Sequence, residues 1–192
     1  MRNPDIREIT DSRVLAALAH PLRRRLMDVL KVGGVATASQ LAERTDQAVG
    51  NISHHLRVLA GCDLIEEVPE LARDRRERWW RLVPLELRWS RRDFQDDPAA
   101  AAVADAAASL YLERQVDLVR AWFAARDSYS EEWREQGSVS TEAWLSLTPA
   151  EARKLTEQLI TLMDELSTRE IPEDGQPRES VFVFAHAVPA TP

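Results

Sequence analysis

Two short groups of polar and basic side chains carry the chemistry in this chain. The first is Gly50, Asn51, Ser53, His54 and Arg57; the second is Arg73, Arg75, Arg76 and Arg78. Asparagine can make a paired hydrogen bond to the edge of adenine, and arginine can reach guanine or a phosphate. Short polar side chains near one end of a helix suit the floor of a major groove, and a glycine among them lets the backbone come close. Four arginines on one loop suit phosphates or a narrow minor groove. Glu70, Asp74 and Glu77 dilute that loop's field, so modest affinity with a steep salt dependence is expected. Such a pair of groups would suit a grip on double-stranded DNA.

Other chemistries find little support. Cys62 is the only cysteine, so the chain has no internal disulfide, and a thiolate metal site would need more ligands than it supplies. His54 and His55 are adjacent and point apart on a helix, and His186 lies far along the chain. No Gly-rich phosphate loop, Gly-x-Ser-x-Gly, His-Glu-x-x-His or Cys-x-x-Cys occurs, so no catalytic, cofactor or metal residues are assigned and no enzyme is expected. The start is charged from Arg2 onward, and no run reaches 18 apolar residues. Neither a signal peptide nor a membrane span is expected, and the cytoplasm is the expected location.

Charge divides the chain. Residues 1–92 hold 17 Lys+Arg against 13 Asp+Glu, and residues 93–192 hold 8 against 19. A mildly basic half therefore joins a strongly acidic one, although the total is -7.

The elements that must position the two groups can be read locally. A short helix spans 14–19, capped by Asp11 or Ser12. Pro21 starts a second, which ends at Gly33-Gly34. Thr37 with Gln40 forms a capping box ahead of a third helix over 39–44. A fourth occupies 47–62, with Ile52, Leu56 and Leu59 facing inward and Asn51, Ser53, His54 and Arg57 on the other side. Asp63 sits where a positive φ is needed. Strands over 64–68 and 78–83 flank the charged loop 69–77. His55 reads as a packed, hydrogen-bonded structural residue, and His54 as a DNA contact or a solvated side chain. Consecutive Arg23, Arg24 and Arg25 cannot share a face, so at most one or two reach phosphate and the rest form surface ion pairs. One of Trp79 and Trp80 must be core, and the other an interdomain or dimer contact.

The second half reads differently. Asp97-Pro98 starts a long helix that runs to about Arg126 or on through Trp133. A strand over 142–147 leads to a capping box at Thr148 and Glu151. A helix to about Thr168 follows, with Leu155, Leu159, Leu162 and Leu166 inward, then a strand over 181–188. Strand, helix, strand implies a parallel pair with a right-handed crossover. The long helix, with its wide apolar stripe, suggests a homodimer whose two reading heads lie about one DNA turn apart.

The stretch from His20 to Pro84 resembles the ArsR-type winged helix-turn-helix family. The likeness rests on Leu18-Ala19-His20-Pro21-Leu22-Arg23, Ser53-His54-His55-Leu56-Arg57-Val58-Leu59, Leu64-Ile65-Glu66-Glu67-Val68 and Arg75-Arg76-Glu77-Arg78-Trp79-Trp80-Arg81-Leu82. It implies a dimeric transcription regulator, usually a repressor. Three departures stand out. Ala48 replaces the usual Ser or Thr cap, Gly61-Cys62-Asp63 replaces the usual small residue and Gly, and the paired cysteines of metal-sensing relatives are missing.

The expected fold class is α+β, mostly helical. A DNA-binding winged helix-turn-helix over 1–95 is followed by a long dimerisation helix and a small β-α-β unit over 96–192. The expected function is sequence-specific binding of a palindromic operator by a homodimer, through recognition helix 47–62 and wing 69–77. Two alternatives remain. One is a winged-helix interaction module without DNA binding. The other is a regulator answering a small apolar effector in an aromatic pocket within residues 110–145, where Tyr111, Trp122, Phe123, Trp133 and Trp144 otherwise read as core.

Overall fold

The computed structural model describes residues 5–74, 77–135, 137 and 140–191. Its elements run β1 (Asp5–Glu8), α1 (Ser12–Ala19), α2 (Pro21–Gly33), β2 (Ala36–Thr37), α3 (Ala38–Thr45), α4 (Val49–Ala60), β3 (Ile65–Glu67), β4 (Trp79–Leu82), β5 (Leu85–Arg88), α5 (Pro98–Ala125), α6 (Glu131–Glu135) and α7 (Pro149–Thr168). The fold is α+β and mostly helical. The chain divides into two compact units, Met1–Arg114 and Gln115–Pro192. None of the described helices is long and apolar enough to cross a membrane.

Local chemistry sets the helix ends of the first unit. Asp11 accepts from the Arg13 N–H at 2.8 Å and caps α1. His20 caps α2, its Nδ1 accepting from the Leu22 N–H at 3.2 Å, and Pro21 takes the first helical position, where its missing N–H costs nothing. Gly34 ends α2 at φ 75°, a conformation that favours glycine. The capping box of α3 is reciprocal: Gln40 Oε1 accepts from the Thr37 N–H at 2.9 Å, and Thr37 Oγ1 accepts from the Gln40 N–H at 3.3 Å. Asp97 Oδ1 accepts from the N–H groups of Ala99 and Ala100 and starts α5.

The apolar stripes of α1 to α4 meet in one core. Leu15, Leu26, Leu30, Leu41, Ile52, Leu56 and Leu59 are fully buried there, and each contributes about 1.5–3 kcal/mol from burial. Ala100, Ala104 and Ala107, spaced by one helical turn on α5, join the same cluster. Strands β2, β4 and β3 form an antiparallel sheet in that order, with Ile65 opposite Leu82 and Ala36 opposite Trp80. Trp80 is the core member of the tryptophan pair. Sequence reasoning gave no hint of a second, parallel sheet, in which β1 pairs with β5.

The second unit corrects several expectations. The long helix ends at Ala125, as expected, and does not continue through Trp133, because a 3-10 turn, Arg126–Ser128, separates it from α6. Thr148 and Glu151 form the expected capping box, and α7 follows. The strands expected over 142–147 and 181–188 do not form, so no β-α-β unit exists among the described residues. Alternating apolar residues favour extended backbone, but a ladder also needs an edge, and neither segment meets one. Phe182, Phe184 and His186 do follow one another along one side, with successive ring centroids 5.9 Å apart. His186 Nε2 lies 2.7 Å from Gln115 Oε1. On α7, Leu155 and Leu159 are half-buried, whereas Leu162 and Leu166 are exposed rather than inward.

Candidate nucleic-acid interface

The positions of the first polar group follow from the register of α4. Ile52, Leu56 and Leu59 are buried on one side. The 3.6-residue period then leaves Gly50, Asn51, His54 and Arg57 exposed on the other. Ser53 lies between the faces, half-buried, and its Oγ donates to the Val49 carbonyl at 2.9 Å. A Cβ at Gly50 would meet nothing within 4 Å. Packing therefore does not demand glycine there, and its effect is to leave open space in front of the helix. Ala48 supplies no side-chain cap, so the first-turn N–H groups of α4 have no side-chain acceptor from that position.

The turn before α4 fixes its start. Asp46 holds φ 54° and closes α3, its N–H meeting the carbonyls of Ala42 and Glu43. Gln47 donates through Nε2 to the Asp46 carbonyl at 2.8 Å and accepts through Oε1 from Asn51 Nδ2 at 3.2 Å. Gln47 thus orients Asn51. Sequence reasoning missed this residue, although the i, i+4 spacing of Gln47 and Asn51 was the available signal. Beyond α4, Asp63 adopts φ 53°, as its position in the sequence requires.

Behind α4, the imidazoles of His20 and His55 pack with centroids 4.6 Å apart, and His54 meets His55 edge-on at 5.2 Å. His55 is buried, as expected, but its Nδ1 has no hydrogen-bond partner among the described residues. Packing rather than hydrogen bonding holds that edge of the ring. Burial lowers the pKa of both His20 and His55, and the charges of Arg23 and His54 add to the effect.

The second group occupies the β3–β4 connection. After a 3-10 turn, Pro69–Leu71, the Arg73 N–H donates to Glu77 Oε2 at 2.8 Å and the Glu77 N–H donates to Asp74 Oδ1 at 3.0 Å. These two carboxylates bind the loop's own backbone. Arg78 pairs with Glu67 across the sheet at 2.9 Å. Arg75 and Arg76 lie outside the described residues. Arg57 has no ion-pair partner among the described residues.

The arginine triplet corrects the expectation of surface ion pairs, none of which these three form among the described residues. Arg23 donates to the carbonyls of Ala16 and Ala17, both at 2.8 Å, and so satisfies the end of α1. Arg25 donates to the Thr45 carbonyl at 3.1 Å, at the end of α3. The Arg24 guanidinium sits 4.4 Å from the centroid of the Tyr111 ring. Three successive residues thus point three ways, as helix geometry demands.

The aromatic residues assigned to an effector pocket fall in both units, and the ring contacts they make lie within their own units. Tyr111 meets Trp89 at 6.2 Å, Trp122 meets Phe123 at 5.2 Å, and Trp144 is 70% exposed. The described residues contain no group of three or more His, Cys, Asp or Glu able to hold a metal ion.

Residues 18–68 match a family described as a helix-turn-helix domain. That span covers α2, α3, α4 and β3. The chain is 39% identical over 54 residues to the transcriptional repressor SdpR of Bacillus subtilis, a match covering 28% of this chain and 59% of that protein. Among solved structures it is similar to the ArsR family transcriptional regulator RHA00566, at 23% identity and a TM-score of 0.31, over 56% of this chain and 88% of the other. It is also similar to a homodimeric winged helix-turn-helix DNA-binding domain, a fragment of Mb0332 from Mycobacterium bovis. There the identity is 20% and the TM-score 0.33, over 64% and 88% of the two chains.

Proposed function

We propose that this chain, whose residues 18–68 form a helix-turn-helix domain similar to that of a known repressor, is a sequence-specific DNA-binding transcriptional regulator. Its default action is repression, and it binds a palindromic operator as a homodimer. One observation carries the reading: Asn51, His54 and Arg57 share an exposed face of a helix of about three turns whose opposite face is locked in the core. A helix of that size fits the major groove.

In this reading Asn51, held by Gln47, and Arg57 read base edges. His54 and Ser53 flank them, and the open space at Gly50 admits the DNA backbone. The uncapped first turn of α4 offers N–H groups to a phosphate. The wing arginines Arg73, Arg75, Arg76 and Arg78 hold phosphates on either side and carry no sequence information. Arg78 is the weakest of the four, since Glu67 already engages it.

Selection from a random duplex library, followed by gel shifts on the recovered sites and on the chain's own promoter region, tests the proposal. Enrichment of an inverted repeat, bound with affinity that falls as salt rises, is the expected result. Failure to enrich any duplex at low salt would overturn it and leave an interaction module in its place.

A further inference from the structure

Helix α4 leaves one large apolar side chain uncovered. Ile52, Leu56 and Leu59 are buried and Val58 is half-buried, whereas Val49 is 47% exposed. A single valine on a surface is ordinary, but the place of this one is not. Val49 is the first residue of α4. Helical side chains lean toward the N-terminus, so this one projects past the helix start, the end that helix-turn-helix proteins turn toward base edges. Ala48 before it is exposed and supplies no cap. A serine, threonine, asparagine or aspartate there would stabilise the helix. A helix start that gives up its cap and carries two exposed apolar residues breaks local rules, as chains do chiefly at functional sites.

Val49, Gly50 and Asn51 follow one another at intervals of about 100° around the helix axis. Gly50 sets no side chain between its neighbours, and the space in front of it is open within 4 Å. A duplex drawn close at Gly50 therefore meets an apolar flank at Val49 and an amide flank at Asn51, whose Nδ2 donates to Gln47. Of the pairs in a major groove, only adenine with thymine shows a methyl group, on the same edge as the adenine N7 and N6 groups. An amide beside a branched apolar side chain matches that edge, and a G·C pair offers no methyl to it. We infer that Val49 determines specificity by packing on the 5-methyl group of a thymine, at or next to the A·T pair whose adenine Asn51 reads. This rests on the DNA-binding reading above and adds to it a base and a contact. The rise of about 3 Å between residues 49 and 51 is close to one base-pair step of about 3.4 Å, which keeps the methyl within a step of the adenine.

Deoxyuridine tests this, because it pairs as thymine does and lacks only the methyl. On the duplexes recovered by library selection, each thymine is replaced in turn and the full chain is titrated at fixed salt. Replacement at one position of each half-site should weaken binding about fourfold per half-site, the scale of one methyl-sized group losing its apolar contact. That thymine should lie within one step of the position where Asn51→Ala relaxes preference. Val49→Ala should bind the thymine duplex more weakly by a similar factor and should no longer distinguish it from the uracil duplex, the non-additivity of two groups in contact. Alanine is the better helix former, so the variant should melt no earlier than the parent. Uracil tolerated at every position would overturn the inference. So would a methyl effect that survives in Val49→Ala, or one that lies further than a step from the Asn51 position. Each of these results leaves the DNA-binding reading standing, whereas failure to enrich any duplex would remove both.

Discussion

Residue types on α4 matter through the face they occupy. Asn51 has two polarised groups, one of them engaged by Gln47, and the fixed amide can discriminate between bases. Asn51→Ala should flatten sequence preference at one position of each half-site, by about 1–3 kcal/mol of discrimination. Library selection with the variant measures this, and an unchanged logo would show that Asn51 does not read bases. His20 and His55 matter through their lack of charge. Burial holds both pKa values below the ordinary 6.5, so the unfolded chain binds protons that the folded one refuses. Their contribution to stability is complete above about pH 6.5 and is lost as pH falls below that toward the folded values. Protonation would also take the Nδ1 lone pair that caps α2. His20→Asn keeps a capping acceptor and removes the titration. Thermal melts between pH 7.5 and 5 should show a smaller loss of Tm for the variant than for the parent, and equal losses would refute the assignment.

At the level of elements, the sequence discloses what neighbours along the chain determine. Thr37 with Gln40, Thr148 with Glu151, Asp97 ahead of Pro98, and the positive φ of Asp63 were all legible, because each depends on residues within four positions. The exposed stripe of α4 was legible for the same reason. The β1–β5 pair was not: Asp5–Glu8 is short and three of its four residues are charged, and its partner lies some 80 residues away. Nor was the failure of 142–147 and 181–188 to pair, since alternation describes a strand's faces and says nothing of its edges. The roles of Arg23, Arg24 and Arg25 escaped because their partners are carbonyls and a ring on other helices. The capping box of α3 gives a direct check on the positioning of the reading helix. Thr37→Ala should lower stability by about 1 kcal/mol, read as a shift in the denaturation midpoint. DNA affinity should be unchanged under conditions where the variant is folded.

For the whole molecule the formal charge of -7 is a poor guide to binding. What matters is which cations are free to meet a phosphate. Arg75→Ala should weaken all duplexes alike and reduce the slope of log affinity against log salt by about 1. A titration of binding at several salt concentrations measures both, and a selective loss on one operator would contradict the clamp. The triplet at 23–25 behaves otherwise, and this bears on how such a protein is mapped. An alanine scan scored by gel shift alone would record all three positions as hits, because loosening three tie-points disorders the reading head before any contact with nucleic acid is lost. Paired with a melting curve for every variant, the same scan would sort these fasteners from positions whose loss weakens binding and leaves the fold intact.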